Sequence, residues 1–193
     1  MNQPYTHQLY TRVSDLPENW DQVSESCIFL QSNYLGVLEN AAPENMQNTF
    51  VGVFEGKKLI ATALFQEIDL AQLNSFGERD HFIVTQVRNF LFQRFASKLL
   101  IVGNNLLSGQ NAYACLPESD EKRVVEKLKE LCLIWPNKPH LTIFKDFTLD
   151  QTKPFQIPAF TSDYPFSSQP NMVFEIKDKW KTEADYVADL TKK

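Results

Sequence analysis

The sequence predicts an α/β domain in which three to four helices flank a mixed, twisted sheet of about six strands. Segments with helical spacing of apolar residues alternate with short apolar runs typical of strands, and a strand, a helix and another strand follow one another in the middle of the chain. The chain has 193 residues, of which 43% are apolar and 12% aromatic, so it can bury one sizeable core. We therefore expect a single domain over residues 1–193.

The N-terminal part predicts a helix followed by a hairpin. Residues 21–40 form the helix, because their apolar side chains recur at steps of three and four. Those side chains belong to Val23, Cys27, Leu30, Tyr34 and Leu38. Pro43 ends the helix, and residues 49–70 predict a β-hairpin with a tight turn at Glu55–Lys57, where Gly56 can adopt a positive φ.

The middle of the chain predicts a strand, a helix and a second strand. Residues 82–96 have helical spacing and lead into the strand Leu99–Gly103, an order typical of a crossover helix between two strands. Residues 119–134 predict the next helix, with Ser119 as its N-terminal cap, and the strand Leu141–Asp146 follows. The apolar face of this helix consists of Val124, Leu128, Leu131 and Trp135.

The C-terminal part has weaker signals. Residues 148–170 are rich in proline and lack a period, so they predict a long surface connection with one short helical turn, whose aromatic side chains fill the core rather than form a lid. Residues 171–176 predict a last strand, and Thr182 with Asp185 predicts a capping box that starts a final helix. The apolar stripe of that helix has barely begun at Lys193, so we expect the chain to continue; a short terminal helix is the alternative.

The charge and the spacing of reactive residues argue against several functional classes. The net charge is −5 with a pI near 5.2, so a phosphate backbone gains little by binding here and we expect no DNA partner. The N-terminus has no leader pattern and no apolar run reaches the roughly 20 residues of a membrane span, so we expect a cytoplasmic protein. Cysteines without CxxC spacing predict free thiols, and histidines without ligand spacing predict no metal site. These residues are Cys27, Cys115, Cys132, His7, His81 and His140.

The loop after the strand Leu99–Gly103 is the strongest candidate for a binding site. It is a polar, uncharged stretch of roughly fifteen residues at the C-terminal end of a predicted parallel strand, where open α/β sheets bind ligands. The residues that could hold an oxygen-rich ligand are Asn104, Asn105, Ser108 and Gly109, the last through backbone N–H groups. The alternative is that they only build turns. Lys145 and Asp146 end the next strand at the same edge and could polarise or deprotonate a ligand, unless they form only a solvated strand end.

Two common phosphate-binding motifs do not occur in this loop. A Walker-type loop needs a lysine after its second glycine, but Gln110 and Asn111 follow Gly109. A dinucleotide fingerprint needs GxGxxG spacing, and the glycines here lie at positions 103 and 109. The loop therefore permits a ligand without matching a known phosphate cradle.

Three stretches of the chain resemble the GNAT superfamily of acyltransferases, and in particular its tandem, FemAB-like members, in which two similar halves form one protein. They are FLQSNYLGVLENAAPENM at residues 29–46, VGVFEGKKLIATALFQ at residues 51–66 and KLLIVGNNLLSG at residues 98–109. The resemblance covers about residues 20–190. It implies a GNAT-like fold and the transfer of an acyl or aminoacyl group to an amine.

The resemblance also implies a cofactor site at the loop. In GNAT enzymes the strands that correspond to Leu99–Gly103 and Leu141–Asp146 splay apart, and acyl-coenzyme A enters the gap with its pyrophosphate on the N–H groups of the loop. The family's usual signature for that pyrophosphate is Gln or Arg, two residues, Gly, one residue, then Gly or Ala, and it is absent from this loop. The chain also has a helix before the strand where the family customarily has a simple hairpin.

The tandem arrangement implies a partner for this chain. A second GNAT-like half beyond Lys193, or a homodimer partner, would carry much of the transfer site, while the present half shapes the substrate groove and has little activity alone. No residue of the sequence stands out as the base that such a reaction needs. A non-catalytic module on the same fold, which binds a small molecule or another protein, is the alternative.

Overall fold

The computed structural model describes residues 4–70, 90–91, 93–109, 112–167 and 176–190. The chain divides into two compact units, Met1–Asp163 and Tyr164–Lys193. The first unit contains the sheet and its helices, and the described residues of the second include one helix. A single domain over the whole chain stays a prediction.

The described residues of the first unit form six strands in one mixed sheet, as the sequence predicts. The strands are β1 (Tyr5–Tyr10), β2 (Met46–Glu55), β3 (Lys58–Asp69), β4 (Lys98–Val102), β5 (Tyr113–Cys115) and β6 (Leu141–Phe144). Their order is β1-β2-β3-β4-β6, and β5 pairs with β3. Neighbours from β1 to β4 are antiparallel, whereas β4 and β6 are parallel.

Helices lie on both faces of this sheet. The α-helices with complete described bounds are α1 (Trp20–Val23), α2 (Ser32–Ala41), α3 (Glu121–Leu133) and, in the second unit, α4 (Glu183–Leu190). Short 3₁₀ helices occur at Val13–Asp15, Ile28–Leu30, Asp150–Phe155 and Pro158–Phe160. In the described part of the chain, no helix has both the length and the apolar character needed to cross a membrane.

The core has two main layers, one on each face of the sheet. On one face, α3 packs Val124 and Leu128 against side chains such as Phe65 of β3. On the other face, α1 and α2 pack Trp20 and Leu35 against β2 and β3. Because both faces of β3 are covered, that strand is apolar along most of its length instead of alternating.

The hairpin of β2 and β3 confirms the prediction for residues 49–70, and the tight turn joins the two strands at the predicted position. Gly56 has a φ of 61° in this turn, which favours glycine. Pairing continues from Glu55 opposite Lys58 to Met46 opposite Ile68, with one irregularity near Val53. The hairpin is therefore a local structure that the turn signal and the apolar runs were sufficient to predict.

The predicted continuous helix over residues 21–40 is wrong, because this segment bends into α1, a 3₁₀ turn and α2. The Trp20 indole N–H donates a hydrogen bond to the Leu30 carbonyl at 2.8 Å. Ten residues of straight helix would separate these positions by about 15 Å. The Asp21 carboxylate accepts hydrogen bonds from the Ser32 N–H and hydroxyl at 2.7 and 2.6 Å, which holds the bend closed.

The predicted crossover before β4 is also wrong. β3 and β4 pair antiparallel from Phe65 opposite Val102 to Asp69 opposite Lys98, and the Leu70 N–H donates to the Ser97 carbonyl at 2.8 Å. A crossover would join parallel strands, whereas β3 and β4 are antiparallel neighbours. Most of the predicted helix over 82–96 lies outside the described residues; within it, residues 90–91 and 93–95 are helical.

The strand–helix–strand prediction for β4, α3 and β6 is confirmed, with one change at the helix start. Asp120, not Ser119, caps α3, because its carboxylate accepts from the N–H groups of Lys122 and Arg123 at 3.1 and 3.4 Å. The Ser119 hydroxyl instead lies 3.4 Å from the Ile60 carbonyl. The predicted apolar face of α3 is buried.

The first part of the proline-rich connection packs as core filler, as predicted, but through two 3₁₀ segments instead of one turn. Tyr164 and Phe166 are exposed, so the prediction of core filler is wrong for these two side chains. Phe155 and Phe160 make edge-to-face contacts with Phe144, with ring centroids 5.5 and 5.1 Å apart. The predicted last strand at 171–176 lies outside the described residues except for its final position. In the second unit, the capping box is confirmed, because the N–H of Thr182 donates to Asp185 and the N–H of Asp185 to the Thr182 hydroxyl.

Candidate functional site

The candidate loop lies between two strands, β4 and β5, that follow one another along the same neighbour, β3. β3 pairs with β4 along one stretch and with β5 along the next, so β4 and β5 lie end to end on the same side of β3. At the break, the Gly103 N–H donates to the Leu64 carbonyl and the Leu64 N–H donates to the Ala112 carbonyl, both at 2.9 Å. The chain therefore leaves the sheet after Gly103 and returns at Ala112. The predicted loop of roughly fifteen residues is corrected, because β5 interrupts it; the described part of the loop before β5 covers residues 104–109.

The pairing of β6 stops where this loop emerges. β6 pairs with β4 from Leu141 opposite Leu99 to Phe144 opposite Val102, and the Lys145 N–H still donates to the Val102 carbonyl at 3.2 Å. Asp146 then adopts a φ of 61°, which turns the chain away from the strand direction. Among the described strands, none pairs with β5 on the side away from β3. β6 therefore pairs with β4, and its pairing ends before β5 begins.

The four predicted site residues have different environments. Asn104 is only 2% exposed, whereas Asn105, Ser108 and Gly109 are exposed. The Asn104 amide nitrogen donates to the Tyr34 hydroxyl at 3.1 Å, and its oxygen accepts from the Leu106 N–H at 2.9 Å. Asn104 therefore uses both ends of its side chain within the protein, as the turn-building alternative expects.

Sequence reasoning missed Gln66, which lies under the loop on β3. Its side chain is fully buried, and its oxygen accepts a hydrogen bond from the Asn105 N–H at 2.6 Å. Its amide nitrogen donates to the Asn48 side-chain oxygen at 2.8 Å. The available signal was a glutamine that directly follows the apolar run IATALF.

Lys145 reaches the loop from the end of β6, on the edge where it was expected. Its ammonium donates to the Leu107 carbonyl at 2.8 Å and forms an ion pair with the adjacent Asp146. A Cβ on Gly103 would lie 3.3 Å from the Lys145 Cβ, so the backbone of the loop and the strand end are closely packed. The positive charge at the loop is therefore balanced by a neighbouring carboxylate.

Tyr113 and Cys115 lie on β5, beyond the end of the pairing between β4 and β6, and burial raises the pKa of both side chains. The Tyr113 hydroxyl donates to the Glu121 carboxylate at 2.8 Å, and burial followed by this hydrogen bond raises the pKa of Tyr113 well above its usual range. Burial raises the pKa of the Cys115 thiol to about 11, with a smaller contribution from Glu121. Neither side chain is an activated nucleophile at neutral pH.

The other cysteines behave similarly. Cys132 is buried and Cys27 and Cys115 are half-buried, and all three are free thiols, as predicted. Burial raises the pKa of Cys132 to about 12 and raises the pKa of Cys27 as well. In the described ranges, no group of three or more His, Cys, Asp or Glu side chains is close enough to hold a metal ion.

A separate surface pocket of about 200 Å³ lies where β3 ends and β4 begins. Its lining includes Glu67, Asp69 and Lys98, and the Asn137 amide donates to the Glu67 carboxylate at 2.6 Å. None of the predicted site residues lines it. The candidate loop and this pocket are therefore distinct places on the sheet.

With this geometry in hand, the chain can be compared with known proteins. No family model, curated protein or solved structure matches it. Its function must therefore be inferred from the arrangement of its own residues.

Proposed function

We propose that this chain is a GNAT-like acyltransferase domain that binds acyl-coenzyme A at loop residues 104–109 and transfers an acyl group to an amine together with a second half. The observation that carries the proposal is the interrupted strand: β6 pairs with β4 and not with β5, although β4 and β5 share one line. A helix, α3, joins this line to the parallel strand β6. The GNAT resemblance expects such a parallel pair to part at the loop.

The order of the strands supports the same proposal. Three antiparallel neighbours, β1 to β3, lead to β4, and one parallel pairing with β6 follows. Ligands of open sheets bind where the C-terminal ends of parallel strands leave an opening. The ends of β4 and β6 provide that edge, with the loop beside it.

The chemistry of the loop favours weak binding of a donor's phosphates. The described side chains of the loop are uncharged, and the ammonium of Lys145 is already paired with Asp146. A ligand would therefore depend on backbone N–H groups and polar side chains more than on ion pairs. We expect an affinity for acyl-coenzyme A that is lower than the affinity of a site with free cations.

The transfer step needs a base that removes a proton from the amine and donors that stabilise the developing oxyanion. Tyr113 and Cys115 hold their protons at neutral pH, because burial raises the pKa of each. Glu121 is an exposed carboxylate that already accepts the Tyr113 hydroxyl. We therefore propose that the base comes from the second half, and that this chain alone is a poor catalyst.

One observation favours a non-catalytic binding module as the second candidate. Asn104 and the N–H of Asn105 are both used in hydrogen bonds within the protein, which leaves fewer groups for a reacting ligand. A module of this kind would bind a small molecule at the exposed part of the loop without transferring a group.

A calorimetric titration of the purified chain with acetyl-coenzyme A tests the proposal. We expect heat of binding and a thermal shift, since a ligand at 100 times its dissociation constant stabilises a protein by about 2.7 kcal/mol. ADP serves as the control for unspecific nucleotide binding and should bind more weakly. No heat and no shift at about 1 mM acetyl-coenzyme A would contradict the proposed cofactor.

A second assay separates the enzyme from the module. Release of free coenzyme A thiol is followed with a panel of primary amines, first with this chain alone and then with its proposed second half added. Binding without thiol release in both cases supports the module. Thiol release that appears only with the second half supports the two-part transferase.

A further inference from the structure

Gln66 is a buried amide in an otherwise apolar part of β3. Its side chain is 0% exposed, and the residues before and after it on the same face, Leu64 and Ile68, are buried and apolar. An amide is costly to bury unless its oxygen and its nitrogen both find hydrogen-bond partners. A polar side chain at this position therefore calls for a reason beyond packing.

Both ends of the Gln66 side chain are hydrogen-bonded, and only one end faces the loop. The nitrogen donates to the Asn48 oxygen at 2.8 Å, and the Asn48 nitrogen in turn donates to the Leu38 carbonyl at 3.3 Å. Asn48 is thus oriented by the end of α2. This orientation leaves the Gln66 oxygen to accept the Asn105 N–H of the loop at 2.6 Å.

Two other side-chain hydrogen bonds also hold described residues of the loop. Asn104 donates to the hydroxyl of the half-buried Tyr34, and the Lys145 ammonium, on a side chain that is 23% exposed, donates to the Leu107 carbonyl. Gln66 differs from Lys145 because its side chain is excluded from solvent. Water therefore has no access to the Gln66 oxygen as a substitute for the Asn105 N–H, and this hydrogen bond fixes the backbone at the start of the loop.

We infer that Gln66 is a positioning residue that sets the conformation of loop residues 104–109 and, through them, the affinity for a ligand bound there. Gln66 acts through the backbone of Asn105, without contact to the ligand. The part of the inference that concerns affinity rests on the proposed function. The part that concerns the loop stands on the hydrogen bonds alone.

A pair of variants on one strand tests the inference. Gln66→Met has nearly the same shape and removes both hydrogen bonds. Thr62→Val is the matched control, because Thr62 lies on the same face of β3, is also 0% exposed, and shares a hydrogen bond of 2.8 Å with the hydroxyl of Ser24, a residue outside the loop. Both variants lose a buried polar group, and only one of them loses an attachment of the loop.

The measurements are urea unfolding and titration with acetyl-coenzyme A for the wild type and both variants. We expect the dissociation constant to rise about tenfold in Gln66→Met, the fold-change that corresponds to loss of one hydrogen bond. In Thr62→Val the dissociation constant should stay within about twofold of the wild-type value, even if this variant is destabilised as much as Gln66→Met and unfolds at the same urea concentration. An unchanged dissociation constant in Gln66→Met, or an equal rise in both variants, overturns the inference.

Hydrogen exchange of the wild-type Asn105 amide gives a measurement that needs neither a variant nor a ligand. We expect this amide to be protected as strongly as amides of β3, and in Gln66→Met to exchange about tenfold faster. Rapid exchange in the wild type overturns the inference. If acetyl-coenzyme A does not bind the wild type but the Asn105 amide is protected, the proposed function fails and the role of Gln66 in the loop is upheld.

Discussion

Replacing Gly103 by alanine should destabilise the sheet unit, because this glycine has a backbone conformation that other residues avoid. Its φ is +135°, and it lies where the chain leaves the line of β4 and β5. An added Cβ would lie 3.3 Å from the Lys145 Cβ and 3.7 Å from the Ala112 Cβ. The substitution therefore combines backbone strain with a tight contact.

The expected cost follows from these two terms. A non-glycine residue in such a region costs about 1–3 kcal/mol, and the contact at 3.3 Å is tight but can relax by a few tenths of an ångström. For a domain of this size, each kcal/mol lowers the melting temperature by about 2–4 °C. Gly103→Ala should therefore melt about 2–12 °C below the wild type.

Gly36→Ala is the matched control for this experiment. Gly36 lies inside α2, and a Cβ there meets nothing within 4 Å. Alanine is favoured over glycine in a helix by about 0.5–1 kcal/mol, so this variant should melt slightly above the wild type. The assay is thermal unfolding followed by circular dichroism, with urea unfolding as a check. If Gly103→Ala is as stable as the wild type, or if both variants shift in the same direction, the account of Gly103 is refuted.

Two further predictions concern α3 and the thiol beside it. Asp120→Ala should lower the free energy of unfolding by about 1 kcal/mol, because it removes the acceptor for two N–H groups of the helix. Ser119→Ala should lower it by less. Urea unfolding that ranks the two variants in the opposite order contradicts Asp120 as the cap. The folded-state pKa of Cys115 is about 11, above its ordinary value of 9.0, so the folded state holds this proton more tightly. The stability contributed by Cys115 is complete below pH 9.0 and is lost as pH rises to about 11. Cys115→Ser should therefore lose less stability than the wild type over this pH range. Identical pH profiles of stability for the two proteins would contradict the raised pKa of Cys115.

The hairpin and α3 could be predicted from the sequence because their signals are local. Gly56 between two apolar runs indicates a turn, and the period of apolar residues in α3 indicates one buried face. The same reasoning failed at residues 21–40, although the apolar spacing is helical there. The bend depends on contacts between residues about ten positions apart, such as Asp21 with Ser32, and no local period reports them.

Two strands escaped prediction for different physical reasons. β1 is an edge strand, YTHQLY, and most of its side chains are polar and not buried, so it lacks the apolar run of a central strand. β5 has three residues and follows a polar loop, too short for a period to show. Both are stabilised by pairing with strands that are distant in sequence.

The candidate loop could be located from the sequence, but its internal organisation could not. Asn104 and Gly109 were identified from the residue types that build polar loops, and the structure gives Asn104 a buried, internal role. Gln66 lies 39 positions before its partner Asn105, and only the pairing of β3 with β4 brings them together. A single sequence therefore predicts only part of an arrangement whose residues come from different strands.

Leu64 forms backbone hydrogen bonds at both ends of the loop, so the length of the loop does not determine the register of the sheet. Its carbonyl and its N–H accept and donate at Gly103 and Ala112, so the two ends meet opposite a single residue. Residues added or removed between those ends leave every strand pairing unchanged, because neither anchor has to move. The sheet can therefore keep one architecture while the segment that emerges from it changes in size and chemistry.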